Sequence, residues 1–169
     1  DTGGLIRIKR RDEQVASAPA HAPPALRESD VAATDRRPSY DDLTTWIFEP
    51  GSFAPMGKMK AGQQYSIVTD HLGTPVGMFD AQGKKVWSMN LSIYGEVRHV
   101  DGWREACPFR YPGQYEDVET GLYYNRFRYY DPEGGFYVSQ DPIGLDGGPK
   151  LYSYVQDTIT LTDIFGLAA

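Results

Sequence analysis

A single cysteine, Cys107, stands in the 169 residues, which excludes an internal disulfide framework and a cysteine-based zinc site. Histidine is scarce too: His21, His71 and His99 are scattered and lack metal-ligand spacing, so no metal and no cofactor are expected. No apolar run approaches the roughly 20 residues that cross a bilayer, and the chain does not open on a signal-peptide pattern. Positive charge is in deficit. The 17 Lys and Arg against 23 Asp and Glu leave a net charge of −6, the wrong sign for a nucleic-acid surface. These absences leave a soluble protein that binds no nucleic acid and has no membrane span. Long amphipathic helical runs are missing as well. What is abundant is 18 Gly, 12 Pro and 12 Tyr, residues that turn the chain and favour strands. The expected fold class is all-β.

Composition divides the chain. Asp1 opens it, without an initiator Met, just ahead of Leu5-Ile6-Arg7-Ile8, which already reads as a strand; a piece of a longer protein is expected. Residues 1–11 read as the end of a preceding repeat strand, closing on Lys9-Arg10-Arg11, a solvated end rather than a nucleic-acid patch. Residues 12–42 lack apolar periodicity and alternate Ala, Pro, Ser and charge, as in Ala18-Pro19-Ala20-His21-Ala22-Pro23-Pro24; they are expected to be a linker or surface loop. Residues 43–105 read as hairpins, with strands at Trp46–Glu49, Phe53–Lys60, Tyr65–Thr69, Val76–Phe79, Lys85–Leu91 and Glu96–Val100. Residues 106–169 form a last, aromatic-rich segment.

The turns between those strands share a pattern. Asp70-x-x-Gly73, Asp80-x-x-Gly83 and Ser92-x-x-Gly95 each open on a short polar side chain and end on a glycine free to take a positive φ. Hairpins repeated at near-constant spacing indicate an antiparallel meander. Spacing alone leaves open whether they belong to a stacked repeat array or to a generic β domain.

From Phe109 to Leu145 the sequence runs FRYPGQYEDVETGLYYNRFRYYDPEGGFYVSQDPIGL. Read as one strand across Tyr123–Tyr130, it puts Tyr123, Asn125, Phe127 and Tyr129 on one face and Tyr124, Arg126, Arg128 and Tyr130 on the other. That reading gives no wholly apolar face. It offers the arginines cation–π contacts and acids such as Asp117, Glu119 or Asp131 as partners.

This block resembles the repeat-associated core of the Rhs/YD-repeat proteins. The resemblance rests on Pro112-Gly113-Gln114-Tyr115, Gly121-Leu122-Tyr123-Tyr124-Asn125-Arg126, Arg128-Tyr129-Tyr130-Asp131-Pro132 and Gln140-Asp141-Pro142-Ile143-Gly144-Leu145. It continues through Gly147-Gly148 and Leu151-Tyr152-Ser153-Tyr154 to Asp163-Ile164-Phe165-Gly166-Leu167, and upstream through Asp70-His71-Leu72-Gly73-Thr74-Pro75 and Trp87. The resemblance implies antiparallel hairpin repeats winding into a β-spiral cocoon, with an inward-turning C-terminal plug and a toxin domain stored inside. It further implies, as partners, the remainder of the shell, the C-terminal toxin domain, a secretion spike or chaperone, and an immunity protein. The implied route runs from the bacterial cytoplasm to a target cell by type VI secretion. Two departures stand out: Ile164 occupies the family's usual proline, and Asp157-Thr158 replaces a common Asn-Pro pair. Proline fixes φ and restricts its predecessor, so Ile164 leaves the backbone beside Asp163 freer.

Asp141 and Asp163 each head a related Asp-[Pro/Ile]-x-Gly-Leu turn. Should the chain fold back and bring them within a few ångströms, they could not both ionise easily. One could activate water while the other, protonated, polarises a peptide carbonyl. With the family resemblance, this points to autoproteolysis at Leu167–Ala168, favoured by positioning an intramolecular bond. Plain turn chemistry is the competing account of the same motif. Cys107 with His99 is a weak nucleophile–base pair, because a lone cysteine is usually a small buried apolar residue. A purely structural shell, and a carbohydrate-binding surface of exposed tyrosines, remain as alternative functions.

Overall fold

The computed structural model describes residues 5–8 and 43–167. The linker expected at 12–42, the cluster Lys9-Arg10-Arg11, His21 and the predicted cleavage partner Ala168 lie outside the described residues. The fold is all-β: eleven strands in two antiparallel sheets, with two short 3-10 turns, Arg104–Ala106 and Gly144–Gly147, as the only helical pieces among the described residues.

The first sheet takes its seven strands in sequence order. They are β1 (Leu5–Ile8), β2 (Thr44–Phe48), β3 (Pro55–Lys60), β4 (Gln63–Thr69), β5 (Pro75–Asp80), β6 (Lys85–Leu91) and β7 (Val97–Asp101). Period-2 alternation sends one residue set inward. Trp46, Ile67, Met78, Trp87 and Met89 are buried on one face, together with Cys107 from the following segment. Ile67 lies opposite Met78 and Met78 opposite Trp87, so the core crosses three strands in register. Burying each such side chain contributes about 1.5–3 kcal/mol. Phe109 closes the end of the row, edge-on to Trp46 with ring centroids 4.8 Å apart.

The repeated turns form as their sequences require. The Asp70 carboxylate accepts the N–H groups of Leu72, Gly73 and Thr74. That of Asp80 accepts Gln82 and Lys84, and the Ser92 hydroxyl accepts Tyr94 and Glu96. Gly73, Gly83 and Gly95 close them at φ of 100°, 77° and 84°, where a side chain would be strained.

The second sheet has the order β11-β10-β9-β8, with β8 (Tyr115–Glu116), β9 (Tyr123–Asn125), β10 (Arg128–Asp131) and β11 (Phe136–Tyr137). Here the single strand expected over Tyr123–Tyr130 is corrected. The chain reverses at Arg126-Phe127, with Arg126 at φ 52°, and pairs Asn125 with Arg128, Tyr124 with Tyr129 and Tyr123 with Tyr130. The reversal shifts the phase of the second half. Tyr123, Asn125, Arg128 and Tyr130 share one buried face, while Tyr124 and Tyr129 are exposed together on the other.

Tyr111, Tyr123, Tyr130, Tyr137 and Tyr154 make the core of this sheet. Three of their phenols bind it to the first sheet through one turn. Tyr123 donates to the Gly95 carbonyl at 2.9 Å, Tyr130 to that of Tyr94 at 2.6 Å, and Tyr111 to those of Ser92 and Ile93. A buried tyrosine needs such a partner; here the β6–β7 turn supplies it. Burial pushes the phenols of Tyr123 and Tyr130 to higher pKa, so they remain proton donors.

The last stretch, 148–167, contains no regular strand, yet it is held along its length. Tyr137 N–H donates to the Tyr152 carbonyl and Asp141 N–H to that of Leu151. Thr158 Oγ1 donates to the Ile93 carbonyl, and His71 Nε2 lies 2.7 Å from the Ile159 carbonyl oxygen. A carbonyl only accepts, so Nε2 is the donor in this contact.

Candidate functional site

The site lies where the β9–β10 hairpin, the Gly144–Gly147 turn and the end of the tail meet. Arg128, the first residue of β10, points into the buried face because the tight reversal puts it opposite Asn125. Its side chain is 1% exposed, and each of its three guanidinium nitrogens has a partner. Nε donates to the Gly166 carbonyl at 2.6 Å and Nη1 to that of Leu151 at 3.1 Å. Nη2 lies 2.9 Å from Asp141 Oδ2 and 3.4 Å from Asp163 Oδ2. The group also stacks 3.7 Å from the centre of the Tyr137 ring, a cation–π geometry.

Both predicted aspartates are therefore brought together, with side chains only 4% and 2% exposed. They share one guanidinium nitrogen, which adds a cation to the bare acid pair. Their other contacts differ. Asp163 Oδ2 accepts from the Tyr137 hydroxyl at 2.9 Å, and Oδ1 accepts from Leu167 N–H at 3.0 Å. Asn125 Nδ2 donates to the Tyr137 oxygen at 2.7 Å, so that hydroxyl must spend its own proton on Asp163. Burial, and after it the Asp163 carboxylate, raise the Tyr137 pKa strongly and keep that proton in place. Asp141 Oδ1 accepts Ile143 N–H at 3.0 Å, the local turn bond that its motif predicts. Its Oδ2 and the Leu167 carbonyl oxygen both crowd the side of Gly147 where a Cβ would stand. Asp163 thus holds the amide of Leu167, and Asp141 stands on the carbonyl side of the same residue.

Leu167 is the residue whose carbonyl belongs to the predicted scissile bond. Its position follows from the tail's anchorage: Asn125 Nδ2 donates to the Asp163 carbonyl at 2.8 Å, and Arg128 holds that of Gly166. The weaker pair lacks a reactive thiol. Cys107 is fully buried, and burial pushes its thiol up to about 11, which disfavours the reactive thiolate. Among the described residues no group of three or more His, Cys, Asp and Glu is placed to hold a metal ion.

Asp117, Glu119 and Asp131 serve turns and do not pair with Arg128. Arg126 instead lies over Phe127 and Phe165. A second buried cation, Arg110, pairs with Glu116, which Arg104 also holds. Arg128, Tyr137 and Asn125 were not anticipated as site residues. One signal was present: Tyr123-Tyr124-Asn125 and Arg128-Tyr129-Tyr130 mirror each other about Arg126-Phe127, as the arms of a hairpin would.

Residues 42–147 match the family model described as the Teneurin YD-shell. Toxin protein Tse5 of Pseudomonas aeruginosa is 50% identical over 95 residues, covering 55% of this chain and 7% of that protein. Probable deoxyribonuclease RhsB of Dickeya dadantii is 35% identical over 127 residues, covering 73% of this chain and 9% of the relative. The chain thus spans less than a tenth of the length of these relatives. Among solved structures, that of TcdB2-TccC3 superposes with a TM-score of 0.58 at 25% identity, over 75% of this chain and 6% of the other.

Proposed function

Because this chain belongs to the Teneurin YD-shell family, we propose that it forms the closing part of a toxin-enclosing shell and cuts its own backbone between Leu167 and Ala168. The observation that carries the reading is the seating of Leu167. Its amide is held by one buried aspartate, and its carbonyl oxygen lies against Gly147 together with the carboxylate of the other. In the step proposed, water adds to the Leu167 carbonyl carbon while Asp141 takes a proton from it. The bond to Ala168 then breaks, and the departing nitrogen takes up the proton that Asp141 received from the water. The products are a Leu167 carboxylate and a new amino terminus. Asp163, already accepting from Tyr137, Arg128 and the Leu167 amide, acts as the anchor that keeps the bond in reach. Holding the reacting bond beside its catalyst is the main source of rate in an intramolecular reaction.

In this reading the strands of residues 43–101 contribute wall, and the tail with its two acids contributes the plug. The partners are the remaining shell, a toxin domain following the cut, a secretion spike or chaperone, and an immunity protein in the producing cell. The protein is made in the bacterial cytoplasm and delivered into a competing cell by type VI secretion. Relatives named as a toxin and as a probable deoxyribonuclease support a toxic cargo.

The test is processing of the full-length protein. Asp141→Asn and Asp163→Asn are each expected to leave one uncut band on a denaturing gel, with the shell still folded, where the wild type shows two. Two bands from both variants, in wild-type proportion, would falsify the reading.

A further inference from the structure

Building on the self-cleavage reading, we infer that Gly147 is a positioning residue: the side chain it lacks is the space in which Asp141 faces the Leu167 carbonyl. Gly147 ends the Gly144–Gly147 turn that Asp141 opens. A Cβ placed on it would lie 2.5 Å from Asp141 Oδ2, 3.0 Å from Asp141 Cγ and 2.8 Å from the Leu167 carbonyl oxygen. Carbon does not approach oxygen so closely without displacing it. Neither oxygen is free to retreat. Asp141 is tied by Arg128 and by Ile143 N–H, while the Leu167 backbone is tied by Asp163 and, through Gly166, by Arg128.

The backbone itself does not demand glycine here. Gly144 and Gly148, in the same turn, stand at φ 59° and 119°, whereas Gly147 is outside the positive-φ region. An alanine at 147 is conformationally allowed, and the obstacle is the two oxygens it would meet. Only a glycine therefore lets the carboxylate oxygen and the oxygen of the carbonyl to be attacked come this close to the turn. A methyl group there must push at least one of the two away from its present place and so change how Asp141 faces the Leu167 carbonyl.

The experiment uses the full-length protein and follows the appearance of cut product with time. Gly147→Ala is expected to slow cleavage by about 100-fold, the effect of roughly an ångström of misplacement. Gly121→Ala serves as the control: that glycine stands at φ 75° with nothing within 4 Å of an added Cβ. It strains the backbone away from the site, and cleavage should continue at the wild-type rate. Denaturant melts supply a second readout that holds even where Gly147→Ala folds poorly. Its cost in stability should shrink in an Asp141→Ala background, since one of the groups it strikes is gone. The inference is overturned if Gly147→Ala cuts at the wild-type rate while Asp141→Asn does not cut. It is also overturned if the alanine costs the same with and without the Asp141 carboxylate. Normal processing of Asp141→Asn strikes instead at the self-cleavage reading beneath it.

Discussion

Arg128 shows how one residue can organise a site. Its planar fork reaches two carboxylates and two backbone carbonyls while its face rests on Tyr137. A lysine, with a single ammonium centre, could not cover that set. Replacing it by a neutral side chain leaves two buried acids facing one another without a cation. Arg128→Met is therefore expected to cost about 3–5 kcal/mol, the usual penalty for an abandoned buried charge, measured by urea unfolding against the wild type. A cost below about 1 kcal/mol would mean that the arginine is not the keystone described. The same contacts explain why Asp141 and Asp163 could be read from their motifs while Arg128 could not. An aspartate heading a turn announces itself through the glycine three residues on. An arginine in a row of tyrosines has no such marker, and its partners lie 13 and 35 residues away along the chain.

At the scale of elements, the hairpins were the most legible part. Short polar openers and closing glycines set the turns at 70–73, 80–83 and 92–95, and the strands of this sheet from β2 to β7 fall within a residue or two of the expected bounds. These turns work by local hydrogen bonds, which a sequence encodes directly. They are not equal in strength. Asp70 takes three N–H groups in a half-buried setting, and Asp80 takes two at the surface. Asp70→Ala should cost about 1.5–3 kcal/mol, as hydrogen bonds to a charged acceptor do, and Asp80→Ala clearly less, by thermal melting of the two variants side by side. Equal losses would show that burial does not grade these turns. The β9–β10 reversal escaped the period-2 reading because its corner residues, Arg126 and Phe127, are not turn formers. Only the pairing of Tyr124 with Tyr129 makes the phase shift plain.

On the scale of the whole molecule, the first sheet ends in unpaired edges among the described residues. Among the described residues β7 pairs only with β6 and β1 only with β2, and apolar side chains such as Val68, Trp103 and Leu145 are exposed. Edges and apolar surface of that kind invite further strands. The isolated chain is expected to associate, its mass in sedimentation rising with concentration; a monodisperse, cooperatively melting monomer at every concentration would remove the dependence on neighbouring turns of the wall. From residue order alone one reads an all-β meander, its repeated turns, and two aspartates in related motifs, because each of these rests on neighbours along the chain. The meeting of those aspartates at Arg128, the seating of Leu167 beside them and the close approach at Gly147 require the folded chain. They join residues from the hairpin, the 3-10 turn and the tail, and contacts between distant segments arise from burial and shape, which no local pattern records.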